Sequence, residues 1–249
     1  LGVIGARMPI TAKEFSKFAA SRRSTRDFLA KPVDPKLIDQ LLTDGMSASS
    51  WSNTRPFIFA VASGDKRDRI SADLLRRWAA LAEARRDGLL AKIKLVFTAR
   101  YAIPFMDYWF SSTYDRTLVP RSQKVGRELY TLLGVPRGNA QARDEQWSNN
   151  YKFFGAPTVV FVFIHKSLGV YAANDTGLFV QNLMLSAKAN GLGTCALGSL
   201  TPWPRAIRKE FDIPKDYKMI YGIAVGYPSK AKVNSFQAER ISIEEISVK

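Results

Sequence analysis

The chain has 249 residues, room for one large domain or two small ones. Its 46% hydrophobic and 24% charged residues are those of a globular protein able to bury a core. Lys and Arg number 37 against 22 Asp and Glu, a net charge of +15, yet there is one histidine and one cysteine, which excludes a zinc cluster, a disulfide framework and any catalytic triad not built on His165.

Thr11-Ala-Lys-Glu14 reads as a capping box opening a helix that puts Phe15, Phe18 and Ala19 on one face and ends near Ser21. Asp34-Pro35 opens a second helix, with Leu37, Ile38, Leu41 and Leu42 as its apolar stripe and Gly45 and a Ser-rich run after it. Phe57–Ala62 is aromatic and branched, a buried strand. Residues 65–87 form a long basic helix broken near Gly88, and two shorter helices fit at about 120–133 and 138–151 within an aromatic-rich stretch, 100–154. Thr158–Ile164 is a central strand. A helix over 175–190 follows, with Leu178, Leu183, Met184 and Ala187 inward and Gly191 as its stop. A strand near 194–197, a short helix near 203–211 and a strand over 219–225 complete the pattern, and the polar tail 229–249 lacks a core of its own. Helices alternating with a few strands indicate an α/β or α+β sandwich.

Most suggestive motifs fail on inspection. Gly191-Leu-Gly193 through Gly198 follows a helix and has the wrong spacing for a dinucleotide fingerprint, and Gly198 precedes Ser199 where a P-loop needs lysine. Cys195 lies in an apolar strand as a packed thiol, and His165 ends a strand with no placed partner. The arginines of 67–86 interleave with acids, the pattern of a solvated helix face, and no nucleic-acid-binding signature is present, so specific nucleic-acid binding is not expected. Leu1–Ala6 is too short for a signal h-region, Met8 is a candidate native start, and no run approaches the ~18 apolar residues of a membrane helix, so the expected location is the cytoplasm, away from membranes. Two segments remain. Arg22-Arg-Ser-Thr-Arg26 sets three guanidiniums and two hydroxyls within five residues, a phosphate clamp or a solvated helix end. Ser49-Ser-Trp-Ser-Asn53-Thr-Arg55-Pro56 is a hydrogen-bonding loop running into a strand.

Taken in order, four segments resemble the flavin-dependent nitroreductase family: Arg22–Arg26 its R-R-S-x-R, Ser49–Pro56 its P-S-x-x-N-x-Q-P, Asp175–Cys195 its D-x-G-x-x-x-Q-N-L…G-L-G-T-C, and Gly226-Tyr-Pro228 with Arg240 its G-Y-P…R. The resemblance implies one α+β domain over 1–249, a three-layer α/β/α sandwich with a mixed, mainly antiparallel sheet. It implies a homodimer with FMN at the interface, a lid over 100–154 and a C-terminal arm, 229–249, embracing the partner. On that basis Arg22, Arg23, Ser24 and Arg240 hold the FMN phosphate and ribityl chain, with Thr25 among them. Arg26 faces flavin N1 and the C2 carbonyl, where a cation stabilises the reduced ring. Ser49, Ser50, Asn53 and Arg55 approach from the partner, and Ala196, Leu197 and Gly198 pass beneath the ring. Ser49 and Arg55 replace the family's Pro and Gln, loosening the loop and adding a cation. The flavin itself carries the chemistry, with no catalytic side chain and no metal. The expected activity is ping-pong transfer from NAD(P)H to a small electron-poor aromatic, a nitroaromatic or quinone, with Tyr108, Trp109 and Phe110 as substrate contacts. A reductive dehalogenase or biosynthetic oxidase would share the cofactor clamp; a non-catalytic flavin carrier or a nucleic-acid-binding module would belong to other classes.

Overall fold

A computed structural model describes residues 10–108 and 114–248. Its sheet has the strand order β1-β2-β4-β3, built from β1 (Phe57–Ser63), β2 (Thr158–His165), β3 (Gly193–Leu197) and β4 (Tyr217–Gly226), every pair antiparallel. Among the described residues parallel pairing is confined to one bridge, Ser24 to Thr194, on the outer edge of β3. β2 is buried on both faces, which is why its sequence is continuously apolar rather than alternating.

The two sides of that strand feed two cores. Val160, Val162 and Ile164 join Ile223 and Val225 under α2 (Pro35–Met46) and α7 (Gly169–Ala189). Val159, Phe161 and Phe163 join Cys195, Leu197 and Met219 under α3 (Gly64–Arg86) and α8 (Pro204–Arg208). The result is the expected helix–sheet–helix sandwich. α2 approaches α7 closely because Gly45 has no side chain: a Cβ there would sit 2.7 Å from the Phe179 ring.

Local signals formed as read. In α1 (Ala12–Ser21) Thr11 N–H donates to Glu14 Oε2 at 2.8 Å and Glu14 N–H to Thr11 Oγ1 at 3.2 Å. Asp34 caps α2 by accepting from Lys36 N–H at 2.9 Å. α3 stops at Arg86, and Gly88, at φ 90°, turns the chain into α4 (Leu89–Thr98). α5 (Val119–Leu132) and α6 (Ala140–Ser148) occupy the aromatic stretch.

Two expectations need correcting. α7 begins at Gly169 rather than Asp175, because its first turns carry exposed Val170 and Tyr171 that break the apolar period. Leu178 points outward and Phe179 and Val180 take the inner face; likewise Phe15 on α1 is 54% exposed, so neither helix has its whole apolar face covered within one chain. Among the described residues no helix is long and apolar enough to cross a membrane.

Candidate functional site

The arginine segment leaves α1 and runs along the free edge of β3. Thr25 N–H donates to the Thr194 carbonyl at 2.9 Å, and the Thr25 side chain is buried against Gly193, where a Cβ would lie 2.3 Å from its hydroxyl oxygen. Thr25 is thus the pin that holds its neighbours in place. Asn234, in the turn Lys232–Ser235, closes the other side: its side-chain oxygen accepts from Arg26 N–H at 2.8 Å, while its amide donates to the carbonyls of Asp27 at 2.8 Å and Ser229 at 3.1 Å. The Arg26 guanidinium lies over the Phe236 ring, 5.7 Å from its centroid. Residues 229–236 therefore bind their own chain, whereas Ile243 and Val248 beyond them are exposed.

Between this segment, the last turns of α7 and Pro228–Ser229 lies a cleft of about 220 Å³. Arg22, Arg23 and Lys188 line it, with Thr194 and Asn234, and among the described residues no carboxylate does. Burial, and then the like charge of Arg240, holds the Arg22 guanidinium below its ordinary value, so Arg240 shares this field. Among the described residues none of Arg22, Arg23, Lys188 and Arg240 has an ion-pair partner. Cations gathered without counter-charge in a partly dry cleft favour a bound anion, and guanidiniums suit phosphate.

β3 continues the site. Antiparallel pairing alternates which residues turn their backbone groups toward the partner strand, so the parity that sends the Thr194 carbonyl outward to Thr25 also turns the N–H and C=O of Ala196 to the free edge. Ala196 and Gly198 are exposed, and a Cβ on Gly198 would meet nothing within 4 Å; Leu197 between them is buried as an anchor. Ser199 follows with a buried hydroxyl that has no partner among the described residues. This edge is a flat, side-chain-poor surface with backbone donors and acceptors. Burial pushes the Cys195 thiol up, as befits a packed side chain. The His165 ring meets the hydroxyl of Ser167 at 2.7 Å, accepts from the Ser167 N–H at 3.3 Å and packs T-shaped against Tyr217.

The Ser49–Arg55 loop is built locally but elsewhere. Trp51 N–H donates to the buried Asp175 carboxylate at 2.9 Å, Arg55 N–H to Ser50 Oγ at 3.1 Å, and the Arg55 guanidinium returns to the side-chain oxygen of Asn53. Ser52, Asn53 and Arg55 hold positive φ, so the turn is a tight, strained one. Its anchor, Asp175, lies thirteen residues before Lys188 on α7, about 20 Å at the helical rise. One chain therefore brings together Arg22–Arg26, Arg240 and Ala196–Gly198 but leaves Ser49, Ser50, Asn53 and Arg55 apart from the arginine cleft. Of the aromatic trio, Tyr108 packs against the α2–α7 core, with a buried hydroxyl lacking a partner among the described residues, and burial and then Asp107 push its phenol up. Trp109 and Phe110 lie outside the described residues.

Sequence reading missed Lys188, Asn234 and the anchoring role of Asp175. Lys188 could have been found, since it follows Met184 by four positions on the helix face that lines the cleft. Asn234 gives no sequence signal, because its hydrogen bonds to Arg26 and Asp27 span more than 200 residues of chain.

A model of the nitroreductase family matches residues 19–227. The chain belongs to that family. It is 28% identical to a 4-nitrobenzoate reductase of Pseudomonas putida over 234 residues, 94% of each chain, and 26% identical to a nitrobenzene nitroreductase of Ectopseudomonas oleovorans over 227 residues, 91% of this chain and 92% of that one. The crystal structure of the FMN-dependent nitroreductase NfnB from Mycobacterium smegmatis in complex with NADPH superposes with a TM-score of 0.81 at 25% identity, covering 96% of this chain and 98% of that one. The nitroreductase match spans the arginine segment, the Ser49 loop and β3, and stops just short of the Asn234 turn and Arg240.

Proposed function

We propose that this nitroreductase-family protein is an FMN-dependent oxidoreductase that takes two electrons from NAD(P)H and passes them to an electron-poor aromatic, a nitroaromatic or quinone, in alternating half-reactions. The observation that carries this reading is the acid-free cleft of Arg22, Arg23 and Lys188 leading to the bare backbone edge Ala196–Gly198. The donor set fits FMN: guanidiniums and an ammonium for the phosphate, a flat edge with backbone hydrogen-bonding groups for the tricyclic ring. When bound, FMN supplies the two-electron relay that no side chain here can provide.

The chain's own residues have three tasks. Arg22, Arg23, Ser24, Lys188 and Arg240 hold the phosphate end. Arg26, fixed by Asn234 and backed by Phe236, presents a permanent cation toward the ring, which favours its reduced, anionic form. Ala196 and Gly198 give the ring close approach and keep side chains away from the reacting face. With one histidine in the chain and no acid in the cleft, protons come from solvent.

The separation of the Ser49–Arg55 loop from the arginines supports a homodimer in which a second copy delivers Ser49, Ser50, Asn53 and Arg55. The outward apolar side chains Phe15, Leu178 and Ile243 support it too, as surfaces a partner and an exchanged C-terminal arm would cover. The surplus of positive charge favours NADPH over NADH and a carboxylated acceptor such as a nitrobenzoate.

Anaerobic stopped-flow tests the reading. Protein reconstituted with FMN should bleach when mixed with NADPH and recover its flavin absorbance on a second mixing with 4-nitrobenzoate. Failure to take up FMN, or bleaching without reoxidation by any nitroaromatic or quinone offered, refutes it.

A further inference from the structure

A second cleft, of about 400 Å³, lies between α3, α5 and α6, and none of its lining residues belongs to the arginine cleft described above. Its walls are aromatic and its rim cationic. Trp78 is buried at the base and Trp147 is 42% exposed, the two rings 6.3 Å apart between centroids. Both indole N–H groups are already used, that of Trp78 on the Asp144 carbonyl at 3.0 Å and that of Trp147 on the Tyr151 hydroxyl at 3.2 Å. What the exposed Trp147 ring has left to offer is its π surface.

The charges are unbalanced. Among the described residues Asp144 is the one acid lining this cleft, and Arg86 already pairs with it at 2.6 Å. Arg85, over the Trp78 ring, and Arg143 have no ion-pair partner among the described residues. A neighbouring hollow of about 380 Å³ shares Tyr130 and Arg143 with this cleft and adds Arg127 and Arg137. A cavity of a few hundred Å³ suits a small ligand rather than a polymer.

We propose that this cleft is a second ligand site, for a nucleoside phosphate: its planar base stacks on Trp147 and its phosphate bridges Arg85 and Arg143. Stacking on an indole is tolerant of base identity, while paired guanidiniums select phosphate. Neither half alone gives a tight site, because the aromatic face is open to water on one side and the arginines are exposed. The site stands apart from the redox site and does not depend on its assignment.

Calorimetric titration of the full-length protein, once carrying one FMN per chain and once without it, tests the proposal, with AMP as ligand and adenosine and inorganic phosphate as its separate halves. AMP should bind once per chain in both samples and quench tryptophan fluorescence, while adenosine and phosphate each bind at least about tenfold more weakly. Arg143→Ala and Trp147→Ala should each weaken AMP by about tenfold or more and leave FMN content within about twofold of the parent. Trp147→Phe, which keeps a stacking face, should recover part of the loss. AMP binding that is absent at millimolar concentration, or unmoved by Arg143→Ala, overturns the site. Phosphate binding as tightly as AMP overturns the role of the aromatic wall.

Discussion

Arg22→Ala separates a binding residue from a structural one because the two roles predict opposite signs. In the cofactor-free chain Arg22 is a liability: it is partly desolvated, faces Arg240, and has no ion-pair partner among the described residues. Relief of like-charge repulsion between partly exposed groups is worth a fraction of a kcal/mol, so the apo-protein Tm should stay the same or rise by about 1–2 °C. With FMN the balance reverses. A charge-assisted contact to phosphate contributes about 1.5–3 kcal/mol, so FMN affinity should fall roughly ten- to 150-fold. Scanning calorimetry of apo-protein with and without FMN, beside titration of flavin fluorescence, reads both numbers on the same samples. Arg240→Ala should behave alike, and the double variant should lose less than the two single losses combined, since each arginine's repulsion disappears with the other. If Arg22→Ala lowers the apo Tm by several degrees while FMN affinity stays within about twofold, the guanidinium is a packing element and the phosphate cleft has been misread.

Three further outcomes test other contacts in the fold. Gly193→Ala places a Cβ 2.3 Å from Thr25 Oγ1; it should cost about 1–3 kcal/mol in chemical denaturation and weaken FMN with it, and adding Thr25→Ala should recover part of both. Asp175→Ala frees Trp51 N–H and should loosen the Ser49–Arg55 loop at a cost of about 1–3 kcal/mol, read from denaturation and from the emission of Trp51, whose ring lies 4.5 Å from Tyr171; unchanged stability and emission refute the anchor. Burial alone would raise the Asp73 carboxyl, but hydrogen bonds from Arg77, Arg76 and Lys209 outweigh it and bring it from 3.8 down to about 2. A lowered folded-state value means that its stabilisation, about 1–2 kcal/mol after solvent screening, is whole above pH ~4 and lost as the pH falls toward 2; Asp73→Asn should remove that part of the acid transition, and an identical acid-unfolding profile contradicts it.

What could be read from the sequence follows the range of the interactions. The Thr11 capping box, the Asp34-Pro35 start and the break at Gly88 depend on neighbours within a few residues, and all formed where their residues stand. The central strand was readable because a fully buried strand needs no alternation. The start of α7 is hidden for the converse reason: Val170 and Tyr171 in its first turns are apolar yet exposed and break the apolar period, while Leu178 fits that period and still faces outward. The same physics divides the site. Arg22–Arg26 is contiguous and visible as a motif, but its geometry comes from Thr194 and Asn234, about 170 and 210 residues away along the chain.

The proposed second copy would complete the site as well as cover the outward apolar surface. An isolated chain has the arginine cleft and the bare β3 edge, but the hydrogen-bonding loop proposed to complete the cofactor site hangs on the far end of α7. A variant that blocks association, such as Leu178→Arg on the outward face of that helix, should keep the fold intact, since Leu178 is already exposed. It should nonetheless bind FMN more weakly and lose NADPH-driven turnover, because the ring would rest on one chain's edge with water on its other side. Sedimentation gives the oligomeric state and flavin titration the affinity. A monomeric Leu178→Arg protein that binds FMN and turns over like the parent would show that the arginine cleft and the β3 edge suffice, and that the loop serves something else.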